Sequence, residues 1–219
     1  MRVIALNVSM PRTVVRDGAP IRTGIFKEPV AGPRRVRPLG IEGDGQADLR
    51  VHGGADQAVY IYPGEHYGFW QTELGRERMP FGQFGENLTT EGLDEARVRV
   101  RDRLRIGTAL LQVTHPRLPC SKLSMRMEAG RGFVKRFQQS GRVGFYLSVV
   151  EEGEIEAGDS IELIPSPEPS VSIAEFLQAY LAKPPNRSAL ARALAVPGLS
   201  KSWRARFEKM LRSALLPDT

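Results

Sequence analysis

Apolar residues change their spacing near residue 165, and that change divides the chain. Before it, alternating or β-rich stretches recur at 2–8, 57–62, 98–106, 109–115, 143–150 and 160–164, separated by glycine and proline. Two helices interrupt them. One is predicted near 63–75 with Pro63 as its first residue, the other near 131–139 with Gly141 ending it. Many short strands with few inserted helices predict a mainly β fold, an antiparallel barrel that is closed or nearly so.

The segment Pro165 to Ser170, "PSPEPS", cannot continue a strand or a helix, because its prolines remove donors and fix the backbone. Beyond it the period becomes helical. Ser172 and Glu175 have capping-box spacing, and Val171 with Phe176 has that of a hydrophobic staple. Ile173, Phe176, Leu177, Tyr180 and Leu181 then fall on one face, and "KPP" ends the helix. Asn186 and Ser200 are positioned to cap two further helices, the last carrying Trp203, Phe207, Met210 and Leu211 inward. Each helix is too short to stand alone in water, so all must pack on something. The expected domains are therefore a β domain, 1–165, and a three-helix domain, 171–219.

Charge narrows the partners. The net charge of +6 suggests nucleic acid at first. From residue 170 onward, however, there are eight basic and three acidic side chains, against 23 and 22 before it. The main body is nearly neutral, which argues against a nucleic-acid partner, and a solvated helical face accounts for the basic tail. Arg97, Arg99, Arg101, Arg103 and Arg105 alternate with apolar or acidic neighbours and read as a solvated strand face. No apolar run approaches the ~20 residues that span a membrane. The N-terminus lacks the apolar core of a secretory signal, so the cytoplasm is expected. With one cysteine and three histidines, a metal bound here must take most of its ligands from a cofactor.

Four segments carry more reactive side chains than packing requires. In residues 39–63, His52 precedes Gly53 and Gly54 on a turn where backbone can approach a ligand closely, with Arg50 beside it. "FGENL", Phe84 to Leu88, exposes a carboxylate, Glu86, and an amide, Asn87, on a glycine turn. In "THPRLPCSKL", Thr114 to Leu123, Cys120 lies between Arg117 and Lys122, and nearby cations favour the reactive thiolate. "GRVGFY", Gly141 to Tyr146, leads into a strand. Taken singly each is ambiguous: a lone cysteine is often only a small buried hydrophobe.

Their order is more telling. "LGIEGDGQAD..VHGG.DQAVY.YP.EHY..W", "FGENL.T.GL.E", "PR.PC.KL" and "GRVGFY.SV", in register over about residues 39–165, closely resemble the MOSC-domain family, and within it the YiiM-like proteins. "GLSKSW", Gly198 to Trp203, resembles the three-helix domain that follows MOSC in those proteins. The chain departs from the family at Arg101-Asp102, where Gly-Asp is frequent.

The resemblance implies a MOSC-type β-barrel that binds the molybdenum cofactor (molybdopterin), with Cys120 as the protein ligand to the metal. It also implies an oxidoreductase that returns N-hydroxylated small molecules, such as hydroxylaminopurine bases, to amines. Arg50, His52, Glu86, Asn87, Arg117 and Lys122 fall on motif positions. Of these, Glu86 or His52 is the expected proton donor, and Arg50, Arg117 and Lys122, with Gly53 and Gly54, are the expected cofactor contacts. No flavin or nicotinamide fingerprint is present, so a separate reductase is expected to supply electrons. A non-enzymatic carrier of the cofactor, or of sulfur on Cys120, is the alternative.

Overall fold

The computed structural model describes residues 1–48, 53–130 and 132–214. Thirteen strands are formed among them: β1 (Arg2–Val8), β2 (Arg12–Arg16), β3 (Ala19–Thr23), β4 (Glu28–Pro29), β5 (Arg34–Arg37), β6 (Gly40–Ile41), β7 (Val59–Pro63), β8 (Leu88–Glu91), β9 (Arg103–Ile106), β10 (Ala109–Pro116), β11 (Phe145–Glu151), β12 (Gly153–Ile155) and β13 (Ile161–Ile164). The helices are α1 (His66–Leu74), α2 (Ser121–Arg126), α3 (Phe133–Gln139), α4 (Ile173–Leu181), α5 (Arg187–Ala195) and α6 (Lys201–Ser213).

Eight strands form one sheet in the order β13-β9-β10-β11-β7-β8-β1-β4. The β7–β8 ladder is parallel, and the other ladders of the sheet are antiparallel. Near its two ends the sheet curls back on itself: Ser160, beside β13, makes an isolated bridge to Arg2, and Val3 N–H bonds Asp159 O at 2.9 Å. The hydrogen-bonded ladder is not continuous around the curl, so the expected barrel takes the form of a sheet with one seam.

Two stretches differ from the sequence reading. Pro63 is the last residue of β7, paired in parallel with Thr90, and α1 starts only at His66. A proline suits a strand end, where no ladder donor is required. The stretch at 98–106 becomes a strand only from Arg103. Asp102 is the reason: its carboxylate accepts from Arg99 N–H and Ser166 N–H, both at 2.8 Å, and closes a tight turn. Arg101 takes a φ of +74° in that turn, a left-handed conformation that glycine adopts without strain. Of the arginine face, Arg97 and Arg103 are exposed while Val98, Val100, Leu104 and Ile106 are buried.

The C-terminal helices follow their caps. Ser172 Oγ accepts from Glu175 N–H at 3.1 Å, and the Glu175 carboxylate accepts from Ser172 N–H at 2.8 Å. The side chains of Asn186 and Ser200 accept from Ala189 and Trp203 N–H. Trp203 and Phe207 are buried, Leu211 half-buried. One apolar core runs without interruption from sheet residues such as Leu104 and Leu111, and from Val98 and Val100 before β9, to Phe176, Leu190, Trp203 and Phe207. A second, aromatic core holds α1, α2 and α3 against the other side, with Tyr62 stacked on Phe84 at 4.2 Å and Trp70 donating to Tyr62 Oη at 2.8 Å. That aromatic core supports the turn at 84–88 and the segment leading to Cys120.

Candidate functional site

A cleft of about 100 Å³ opens where β7, β8, β10 and β11 meet the loops that follow β3 and β6. Cys120, Arg117, Lys122 and Asn87 all line it, as does Gly53. Gly54 is the residue before a short 3₁₀ turn at Ala55–Gln57 and is not on the wall. Arg50 and His52 lie outside the described residues.

Arg117 is set by the end of β10. Its N–H bonds Gly144 O at 3.1 Å, which turns the chain away from β11 after Pro116. Its guanidinium is carried over the Tyr60 ring, 5.0 Å from the centroid, with Phe137 at 5.8 Å. The side chain is 5% exposed, and its Nη1 has no hydrogen-bond partner among the described residues. Burial works against the charge, but Tyr60, Tyr146 and Cys120 outweigh it and hold Arg117 above the ordinary arginine value. A buried guanidinium with an unused donor on a cleft wall has the chemistry to receive an anion.

Three residues further on, half-buried Cys120 stands in extended backbone just before α2, with Lys122 in the first turn of that helix. Leu123 and Met127, both fully buried, anchor α2 to the aromatic core and so fix where the thiol stands.

The opposite wall was not legible in the sequence. Lys27, 7% exposed, forms an ion pair with Asp44. Asp44 also accepts from Ser9 N–H at 2.9 Å and from Asn87 Nδ2 at 2.9 Å. Burial pushes the Lys27 ammonium below its usual range, and the Asp44 carboxylate partly restores it. Their loops touch closely: a Cβ on Gly24 would sit 2.4 Å from Gly45 O, so glycine is required at that crossing. Spacing in the chain could not join Lys27 to Asp44, although the glycine-rich run before residue 47 hinted at close approach. Tyr60, Tyr146 and Gln57 complete the wall.

Glu86 is placed elsewhere. It is fully buried and does not line the cleft. Its carboxylate accepts from Gly82 N–H at 2.8 Å, Phe84 N–H at 3.1 Å, Thr89 Oγ1 at 2.9 Å and the Tyr67 hydroxyl. Burial raises its pKa, and its acceptor capacity is spent on the turn itself, away from the cleft wall that the expected proton donor would occupy. Asn87 borders the cleft with its amide committed: Oδ1 accepts from Tyr60 N–H at 3.1 Å, and Nδ2 donates to Asp44 and Asn7 O. It positions Asp44 and β7.

The other two histidines are off this wall. His66 Nε2 lies 2.8 Å from Glu95 Oε2. His115 is buried with Nδ1 3.0 Å from Pro116 O, and burial lowers its pKa. Among the described residues no group of three His, Cys, Asp or Glu side chains comes together to hold a metal. No helix among them is long and apolar enough to cross a membrane.

Among the described residues the donor set therefore comprises one thiol, three cations and one carboxylate, around a cleft sized for the anionic end of a larger group. A soft metal bringing its own sulfur ligands fits such a set, since one thiolate completes it and the cations take up phosphate charge.

Comparison with known proteins shows what the whole chain is similar to. The MOSC domain profile matches residues 48–162, and the YiiM-like three-alpha-helix domain matches residues 171–214. Protein YflK of Bacillus subtilis is 42% identical over 98% of this chain and 96% of its own length. Protein YiiM of Escherichia coli is 37% identical over 92% and 89%. A protein of Gibberella moniliformis named Reductase is 33% identical over 82% of this chain, which spans only 32% of that longer protein. Among solved structures, YiiM from Geobacillus stearothermophilus superposes with a TM-score of 0.80 at 35% identity, over 96% of this chain and 98% of that one.

Proposed function

The chain belongs to the MOSC-domain family and carries the YiiM-like helical domain, and from that premise we propose that it is a molybdenum-cofactor-dependent reductase of N-hydroxylated small molecules, hydroxylaminopurine bases among them. In this reading residues 1–165 form the cofactor-bearing barrel domain and 171–219 the helical domain that closes one side of it. The observation that carries it is the pairing of Cys120 with Arg117, a buried cation whose Nη1 is left without a partner on the wall of the same cleft. The cofactor, when bound, supplies two-electron reduction at a metal that thiolate ligands suit.

The residues of the chain do the rest. Cys120 Sγ provides the protein ligand. Arg117 and Lys122 hold the cofactor's phosphate, Arg117 as a fork and Lys122 as a point charge. The conversion of N–OH to N–H consumes two electrons and two protons and releases water, so a proton donor is needed beside the leaving oxygen. Lys27 Nζ takes that part in place of Glu86, because it lines the cleft and burial eases loss of its proton. Asn87 keeps Lys27 in position through Asp44. Tyr60 and Tyr146 limit water around the reacting atoms. Electrons come from a separate reductase protein.

The test is metal analysis and turnover together, on protein made in a host that synthesises the cofactor. Bound molybdenum with reduction of a hydroxylamino substrate supports the reading. Bound molybdenum without turnover, given a competent reductant, would make the protein a carrier instead, and absence of molybdenum would overturn both.

A further inference from the structure

Four rings run in contact from the Cys120 cleft to the outermost helix. Tyr60 on β7 and Tyr146 on β11 line the cleft, their centroids 5.3 Å apart. His115 on β10 lies 5.3 Å from Tyr146, and Trp203 on α6 lies 5.6 Å from His115. Tyr60, His115 and Trp203 are buried and Tyr146 is half-buried. The column therefore crosses from the sheet into the helical domain, and the proposed reduction uses only its inner end.

The outer end lies under a strip of positive charge. The Arg206 guanidinium, three residues along α6 from Trp203, lies over the Trp203 ring at 5.0 Å and over Tyr180 at 5.4 Å. α6 carries five basic side chains and one acidic one, Glu208. Arg206, Lys209 and Arg212 recur every three residues and are all exposed. Among the described residues none of the three pairs with a carboxylate. Stacking occupies the faces of the Arg206 guanidinium and leaves its N–H groups to meet a partner's carboxylates. A strip of cations without counterparts attracts an acidic surface and orients it on approach. The cleft has to hold cofactor and substrate together, so a protein seated over its mouth would shut the substrate out. The column gives electrons a separate way in.

We propose that α6 is the docking face for an acidic one-electron carrier protein, and that Trp203, His115 and Tyr146 bridge its electrons to the Cys120 cleft. The destination of the electrons rests on the reductase reading; docking on α6 does not. For each N–OH converted to N–H, two reduced carriers lose one electron each, and the two protons are taken up in the cleft. The rings shorten the tunnelling gap and are themselves neither oxidised nor reduced.

The probe is a flavodoxin, an acidic carrier whose hydroquinone gives one electron on passing to the semiquinone. Calorimetry on the full chain without cofactor is expected to show binding that weakens about tenfold or more as salt rises from about 50 to 200 mM. Arg206→Glu should weaken it about tenfold, whereas Arg22→Glu, the same change of charge at an exposed position on β3, should cost less than about threefold. A second arm takes molybdenum-loaded protein and compares turnover driven by flavodoxin hydroquinone with turnover driven by dithionite, which is small enough to diffuse to the cleft. His115→Leu breaks the column and should lower that ratio about tenfold or more, while His115→Phe restores a ring and should return it close to the unaltered value. The proposal is overturned by absence of flavodoxin binding, by equal losses in Arg206→Glu and Arg22→Glu, or by an unchanged ratio in folded His115→Leu. Loaded protein that is idle with dithionite as well overturns the reductase reading and the electron path with it, and the docking face then stands or falls on the calorimetry alone.

Discussion

Two polar turns, at 84–88 and at 116–122, look alike in the sequence, and the fold treats them in opposite ways. In the first, the Glu86 carboxylate receives four donors and is closed off from solvent. In the second, Arg117 is almost as deeply buried yet leaves Nη1 without a partner among the described residues, beside the half-buried Cys120. Both turns place an ionisable group at low dielectric. The first spends its hydrogen-bonding capacity on the chain itself, whereas the second holds some back. Unspent capacity at a cleft costs stability unless something else uses it, which is why we propose the second turn as a binding site and the first as a support.

The sharpest way to break that contrast is Cys120→Ser. Volume is nearly preserved, so unfolding free energy should move by less than about 1 kcal/mol. Bound molybdenum, by contrast, should fall more than about 100-fold, since even outer-shell changes alter metal affinity 10–100-fold. A variant with normal metal content and turnover would erase the distinction between the turns. Glu86→Gln should show the reverse pattern. An amide N–H would face groups that are themselves donors, and urea unfolding should register a loss of about 2–4 kcal/mol. Metal bound per folded molecule should stay near that of the unaltered protein; a stable variant that has lost activity would return Glu86 to the chemistry.

How much of this could be read from residues alone depends on the range of the interaction. The caps at Ser172, Asn186 and Ser200 act over three residues, and the sequence states them in full. Cys120, Arg117 and Lys122 are neighbours in the chain, so their meeting was foreseeable. Lys27 and Asp44 were invisible, because two loops crossing at Gly24 and Gly45 bring them together and neither loop has a period. The exposure expected of the Glu86 carboxylate was misjudged for a subtler reason. A carboxylate on a glycine turn looks the same whether its partners are the turn's own N–H groups or a ligand, and only the direction of its oxygens separates the two.

Arg117→Met sharpens the comparison further. Removing a buried, incompletely partnered charge should leave the cofactor-free protein within about 1 kcal/mol of its original stability. The stabilisation that phosphate gives the unaltered protein in thermal unfolding should disappear. A loss of about 3–5 kcal/mol would instead class Arg117 with Glu86 as a support. Arg101→Gly is the smallest test. Relief of a left-handed arginine, set against glycine's greater unfolded-state entropy, should gain about 0.5–1 kcal/mol in chemical unfolding, with the cleft untouched.

Two profiles recognise this chain, with a proline-rich seam between them, yet the seam is stitched across. Val100 N–H reaches Val171 O at 2.9 Å, Ile173 N–H reaches Val98 O at 2.9 Å, and Ala174 N–H reaches Glu95 O at 2.8 Å. Glu95 in turn grips His66 and the Gly144 N–H with its two carboxylate oxygens. Severing the chain at the seam would strip Val98, Val100, Phe176 and Phe207 of their shared cover and expose sticky surface on both fragments. The two stretches therefore share one core in this chain. A gene that shed the helical stretch would have to rebuild the flank of the sheet in the same event, and shuffling it onto another scaffold would transplant half a core.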